Sequence, residues 1–410
     1  MLNRLWLSFF ILSFIACLYQ AFFLDNSAVF SDVTTALFSM AKTSVDISIG
    51  LIGIMCLWLG VFNIIEHSGL INHISRLLSP LLEKLMPEVP KNHPAQGAIT
   101  MNLAANLLGL DNAATPLGIK AMQSLQTLNP SATIASNAQI LFLVLNTSSV
   151  TLLPVTIFMY RAQAGSASPT DVFLPILLAT SCSTLAGLLA VSFAQRINLL
   201  QPVIAAYMLA FATLMAALFS LIVSMQGSEL SQFSSLSANV ILLSFIVLSL
   251  CYGAYKNLQV YELFVEGAKD GFNTAINLIP YLVAMLVAIA ALRASGVMNL
   301  FIDAIAYLLA LLDLPTSFVD ALPTAMMKPF SGSGSRALML ENFQSYGVDS
   351  FIARLSSVMQ GSTETTFYVI AVYFGAVGIR YGRHAIACGL IADFAGIIAA
   401  IFACYWFFPT

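Results

Sequence analysis

Nine apolar runs, at 5–24, 46–65, 133–159, 172–195, 201–225, 236–255, 274–294, 354–378 and 384–408, constrain this chain more than any motif does. A bilayer core takes about 20 apolar residues as helix, and lipid supplies no water to a bare backbone, so each run is predicted to span a membrane. Composition agrees: 59% of the residues are hydrophobic and 9% are charged. Soluble domains carry about 25% charged residues and could not hide this much apolar surface. The first run follows a single basic residue, Arg4, and FIAC (14–17) fits a lipoprotein cleavage site poorly because of Phe14. An uncleaved first helix is therefore predicted rather than a signal peptide.

Charge and metal-ligand chemistry exclude several classes. The net charge of −3 gives no reason to expect nucleic acid. The six Cys are scattered through apolar runs without a CxxC pair, and the four His form no HExxH, so neither zinc nor a disulfide framework is predicted. No cofactor is expected. Nothing pairs a Ser with His or Lys on facing spans, so no enzyme is predicted.

Between the spans lie segments too short or too polar to cross. GLINHISRLLSPLLEKLM (69–86) sets apolar residues opposite His73, Arg76, Glu83 and Lys84, the pattern of a helix lying at the interface; 26–44 and 257–272 look similar but weaker. Residues 94–127 hold two half-length helical patterns broken at Gly109-Leu110-Asp111-Asn112. Residues 321–346 hold two more, broken at Ser331-Gly332-Ser333-Gly334-Ser335. Each predicts a re-entrant hairpin, which is tolerated at membrane depth only where protein or a water-filled cavity surrounds it.

Landmarks recur in the same order. Ser68-Gly69-Leu70-Ile71-Asn72 returns as Ser295-Gly296-Val297-Met298-Asn299; a hairpin follows each, then a span with a polar break, at 146–151 or 361–365, then a span carrying Ala186-Gly187 or Ala395-Gly396. The predicted architecture is an all-α integral membrane protein of about nine transmembrane helices. Its two inverted-topology repeats, 1–200 and 236–410, are joined by a linking helix within 201–235. Inverted repeats with broken helices meeting near the midplane point to a secondary transporter. Arg4, Arg76, Lys84, Lys91, Arg196, Lys256, Lys269, Arg380 and Arg383 fall on the side of the N-terminus, against Lys42, Arg161 and Arg293 on the other. That bias predicts a multi-pass protein of the bacterial inner membrane with its N-terminus cytoplasmic and its C-terminus outside.

NLAANLLGLDNAATPLGIKAMQSLQ (102–126) resembles the signature of the spore maturation protein A family. KPFSGSGSRALMLE (328–341) and QGSTETTFYVIAVYFGAVGIR (360–380) resemble that of the spore maturation protein B family. The resemblance covers nearly the whole chain and implies a fusion of two members of the nucleoside-recognition, or Gate, group. It specifies no substrate.

Glu364 sits in mid-span, where an ionised carboxylate costs roughly 2.5 kcal/mol or more unless paired or watered. Either it couples a cation or proton to substrate, or it staples the bundle by pairing with Lys328 or Arg336. Gln360, Ser362 and Thr363 surround it with polar oxygens, and Gly361 lets the helix unwind. Asn102 and Asn106 share a helix face and, with Asn112 and Thr115, form the matching set in the first half. Asp111 is open between turn-former and ligand. Ser331, Ser333 and Ser335 precede a helical run whose backbone N–H groups, with Lys328 and Arg336, suit an anionic group. Ser148 mirrors the glutamate stretch without its charge. Asp393 is a second intramembrane acid and, after Glu364, the second candidate proton or ion carrier; it lies about 14 Å along its helix from His384 and Arg383 and so beyond direct pairing. The expected partners are the lipid bilayer, a small polar solute (nucleoside-, amino acid- or peptide-like) and a coupling H+ or Na+. A homo-oligomer is left open. The rival reading is a non-transporting scaffold or regulatory protein of envelope assembly, with polar residues gluing its helices.

Overall fold

In the computed structural model, residues 2–109, 111–225, 227–313 and 315–409 are described, except the side chains of Leu2, Asn3, Leu5 and 111–113. The chain is an all-helical, multi-pass membrane protein. Its helices are α1 (Leu2–Phe23), α2 (Val29–Ser68), α3 (Leu70–Leu85), α4 (Pro94–Leu107), α5 (Asp111–Gln126), α6 (Asn137–Thr147), α7 (Val155–Gln163), α8 (Phe173–Gln195) and α9 (Pro202–Ile222). There follow α10 (Ser228–Tyr255), α11 (Val260–Ala294), α12 (Val297–Ala310), α13 (Leu322–Met327), α14 (Gly332–Tyr346), α15 (Phe351–Ser362), α16 (Thr366–Gly375) and α17 (Ala385–Phe407). Among the described residues no strand forms; Ile134 and Tyr381 make one isolated bridge.

Seven of these helices are long and apolar enough to cross a membrane: α1, α2, α8, α9, α10, α11 and α17. The other two predicted spans, 133–159 and 354–378, are each divided, into α6 and α7 by residues 148–154 and into α15 and α16 by residues 363–365. Pro154 acts as the N-cap of α7, where its missing N–H costs nothing.

The stretches 26–44 and 257–272 differ from expectation. They do not form separate interfacial helices. From Val29 to Ser68 no proline interrupts the helix, and α2 runs 40 residues, about 60 Å, well beyond a bilayer core of about 30 Å. Helix α11 likewise absorbs 257–272 from Val260 onward. Each long helix stops at the recurrent glycine. Gly69 (φ 75°) and Gly296 (φ 76°) adopt the left-handed conformation that glycine takes at no steric cost, and the chain turns into the short helices α3 and α12.

Packing explains the order of the elements. Helix α2 lies along α11, and α8 along α17. The first contact is close: a Cβ added at Gly271 would meet the Met55 carbonyl oxygen at 2.6 Å, and one at Gly267 the Leu59 carbonyl at 2.4 Å. Helix α1 packs on α11, where Trp6 donates to the Ala284 carbonyl (2.9 Å). In the matching way, α10 packs on α2. Large apolar side chains on the outer helices face outward, Phe193 being 90% exposed, as suits a lipid solvent.

Candidate functional site

The site is built where two short helix pairs meet the two divided helices. The turn between α4 and α5 passes through Gly109, and the turn between α13 and α14 through Lys328, Pro329 and Phe330. The second turn lies earlier than the sequence suggests. Ser331 caps α14 by accepting a hydrogen bond from the Gly334 N–H (3.0 Å), so Gly332 to Ser335 form the first helical turn rather than the loop.

Each turn hydrogen-bonds to the break of its own half. The Leu152 N–H donates to the Leu107 carbonyl (2.9 Å), and the Phe367 N–H to the Pro329 carbonyl (2.9 Å). The breaks also bond to each other, through the Glu364 N–H and the Thr147 carbonyl (2.9 Å). Only glycine fits the closest approaches: a Cβ at Gly109 would lie 2.5 Å from the Leu153 carbonyl oxygen, and one at Gly332 would lie 2.8 Å from Thr365 Oγ1.

The four elements enclose a cavity of about 100 Å³ lined by Gly109, Thr151, Thr156, Lys328, Gly332, Arg336, Gln360, Thr363, Glu364 and Thr365, among others. That volume has room for several waters. Among the described residues no ion pair or side-chain hydrogen bond reaches the Glu364 carboxylate. The pairing of Glu364 with Lys328 or Arg336 is therefore not formed here; the Arg336 guanidinium instead lies over the Tyr160 ring (5.3 Å). Gln360 donates weakly to the Gly332 carbonyl (3.4 Å), while among the described residues its Oε1 has no partner. A second, larger space of about 470 Å³ shares Gly109, Thr156 and Arg336 with the cavity. It extends past Asn63 and Glu66 of α2 and Asp270 of α11.

Of the residues singled out by sequence, Lys328, Arg336, Gln360, Thr363 and Glu364 line this cavity. The others do not. Asn102 is fully buried and donates to the Ala114 carbonyl (2.7 Å), with Tyr373 Oη at 3.4 Å. Asn106 donates to Asn146 Oδ1 (2.7 Å), which also accepts from Tyr373 (3.3 Å). The shared face of the two amides thus meets α6 and α16 rather than a ligand space. Ser148 and Ser362 bond back to their own helices. Ser335 ties α14 to α13 through the Thr324 carbonyl (2.7 Å), and Ser333 contacts Ser331 (3.2 Å). Thr115, on α5, lies outside the cavity lining. The side chains of Asp111 and Asn112 fall outside the described residues. Asp393 is buried behind the breaks, where it accepts from Thr366 (2.7 Å).

One feature had no signal in the sequence. Arg161 and Asp171, both fully buried, pair at 2.9 Å; Arg161 also reaches Asp349 (3.1 Å), and Arg354 reaches Asp171 (2.8 Å). These residues join α7 and the start of α8 to α15 and the loop before it. Their separations of 183 and 188 residues hide the cluster from any local pattern.

A fused polar break, a glycine turn and an amphipathic connector in each half define a class rather than a single protein. The chain belongs to the nucleoside-recognition (Gate) family, whose model matches residues 48–163 and 275–380. It is 40% identical over 189 residues to spore maturation protein A of Bacillus subtilis (strain 168), covering 46% of this chain and 93% of that protein. It is 45% identical over 152 residues to spore maturation protein B of the same organism, covering 37% of this chain and 84% of that protein. Similarity to both relatives fits a fusion of the two. No solved structure matches the chain.

Proposed function

We propose that this chain is a secondary transporter of the bacterial inner membrane for a small polar solute, coupled to H+ or Na+ through Glu364. One observation carries the reading: both turns and both helix breaks converge on one polar cavity that holds a carboxylate without an ionic partner. An acid at that depth is costly unless it is paired or watered, so one retained beside a wet cavity marks an ion or substrate path. The order of elements supports two inverted halves. Helices α2 to α8 and α11 to α17 repeat long helix, short connector, helix pair, divided helix and long helix, and the intervening α9 and α10 leave the second set reversed in the membrane. The two matched family segments begin in α2 and α11 and end in α7 and just past α16. In this reading the helix pairs are re-entrant hairpins whose turns meet near the midplane. The solute is nucleoside-, amino acid- or peptide-like, as the family description and the hydroxyls and single amide of the cavity lining suggest. It enters through the larger space, because about 100 Å³ holds water or an ion but no nucleoside.

The alternative is a scaffold of envelope assembly, and the buried Asn102–Asn146–Tyr373 network favours it to the extent that polar residues here do glue helices. Uptake by proteoliposomes against a panel of nucleosides, amino acids and dipeptides separates the two. Under an imposed ion gradient the wild type should accumulate at least one of them, and Glu364→Gln, folded to the same extent, should not. A panel that shows no uptake at all, or gradient-driven uptake undiminished in Glu364→Gln, removes the transporter or the coupling role respectively.

A further inference from the structure

Behind the two breaks, on the side away from the cavity, α17 carries Gly389, Asp393 and Gly396 on one face, at spacings of four and three residues. The two glycines bring that face against its neighbours. A Cβ at Gly389 would lie 3.6 Å from both Thr147 Oγ1 and Thr366 Oγ1; one at Gly396 would lie 2.8 Å from Thr363 Cγ2 and 3.5 Å from Ser183 Oγ. Asp393 is 2% exposed. Its Oδ2 accepts from Thr366, but among the described residues Oδ1 has no partner, and neither has Oγ of the fully buried Ser183 on α8. Each of these orphaned oxygens is costly, because a buried polar atom left unsatisfied costs about 1–3 kcal/mol.

We propose that Asp393, Ser183 and the hydroxyls of Thr147 and Thr366, which flank the two breaks, form a sodium-binding site distinct from the Glu364 cavity. The donors are all hard oxygens, and among the described residues no group of three His, Cys, Asp or Glu could hold a transition metal. The site's own single carboxylate balances one positive charge; a divalent ion would leave an excess charge in a low-dielectric surround. The other charged groups near enough to act on Asp393 are Lys328 and Glu364, which are of opposite sign. Sodium held here would tie Thr147, at the end of α6, to Thr366, at the start of α16. Its binding would thereby set the geometry of the cavity those breaks enclose. In that respect the proposal deepens the transporter reading and rests on it, but the binding itself does not.

The test is equilibrium binding of radioactive sodium to the purified full-length protein in choline chloride, with no solute present. Wild type should show saturable binding displaced by unlabelled NaCl and not by KCl. Asp393→Asn should weaken it by roughly tenfold or more, and Ser183→Ala and Thr366→Val by smaller factors. Absence of saturable sodium binding, or equal binding by a folded Asp393→Asn, overturns the proposal. If Asp393→Asn does not fold, carbodiimide modification of Asp393 in the wild type decides. Protection by NaCl but not KCl supports the site, whereas modification indifferent to sodium identifies a proton-carrying acid and refutes it. Sodium binding that persists without any solute uptake would count against transport and leave this site standing.

Discussion

The Arg161 cluster is the place where removing a single charge should cost most. At 2.9 Å and an effective dielectric of about 20, the Arg161–Asp171 attraction is about 6 kcal/mol. Desolvating two side chains that are both 0% exposed consumes much of that. The net worth of the intact pair is therefore small, yet breaking a buried pair leaves a charge that water cannot reach and costs about 3–5 kcal/mol. In Asp171→Asn, Arg161 keeps Asp349 and the carbonyls of Pro169 (3.1 Å) and Val348 (3.0 Å), so the lower end, about 3 kcal/mol, is expected. Replacing both partners, Arg161→Met with Asp171→Leu, removes the stranded charge. Asp349 and Arg354, with side chains 34% and 25% exposed, can then turn to water. The double variant should consequently be more stable than either single one. The assay is unfolding of the detergent-solubilised protein by SDS titration, read as a double-mutant cycle. An Asp171→Asn variant within about 0.5 kcal/mol of wild type, or costs that simply add, would refute the reasoning.

Other outcomes are expected. Asn102→Ala combined with Asn106→Ala should lower stability by about 2 kcal/mol or more through stranded polar partners, while leaving affinity for any transported solute within a fewfold of wild type; thermal melting and a binding isotherm on the same sample check this. Burial would raise the Asp349 carboxyl, but the Ser166 hydroxyl, the Ala167 N–H and Arg161 outweigh it and hold the carboxyl below the usual carboxylate range. Its folded pKa is thus depressed, so its stabilisation is complete above the unfolded value near 4 and is lost as pH falls through the lower folded value. Asp349→Asn should be less stable than wild type at pH 7, and the gap should close below about pH 4 in an acid-unfolding series.

What could be read in advance depended on whether the cause was local. The long apolar runs needed only the bilayer to become helices, and the repeated Ser-Gly-x-x-Asn marked two left-handed glycines because helix termination is decided within one turn. Spacing placed Asn102 and Asn106 on one face but could not say what that face meets; Asn146 and Tyr373 come from 40 and 271 residues away. The Gly-Ser alternation looked like a turn because both residues favour turns. Ser331 instead caps a helix, and the preceding Lys328-Pro329 supplies the break. The continuity of α2 across 26–44 was hidden because a polar stretch beside an apolar one reads as two elements. The backbone sees no reason to stop there.

The ionic cluster and the cavity also bear on sidedness. Arg161, Arg293 and Arg354 sit on the side away from the N-terminus in the proposed topology, and each is committed to an acid: Asp171 and Asp349, Glu341, and Asp171 again. The larger space reaches Glu66 near the end of α2 and Asp270 in the first half of α11. If the chain is a carrier of the proposed topology, that end of the space is its cytoplasmic end. The Arg161 cluster then ties α7 of one divided helix to α15 of the other on the far side. Opening outward would require those arms to part, so the cluster would act as a latch as well as a brace. Removing it would do two separable things, lowering stability and exposing the Glu364 cavity to reagents from outside. A scaffold would show only the first.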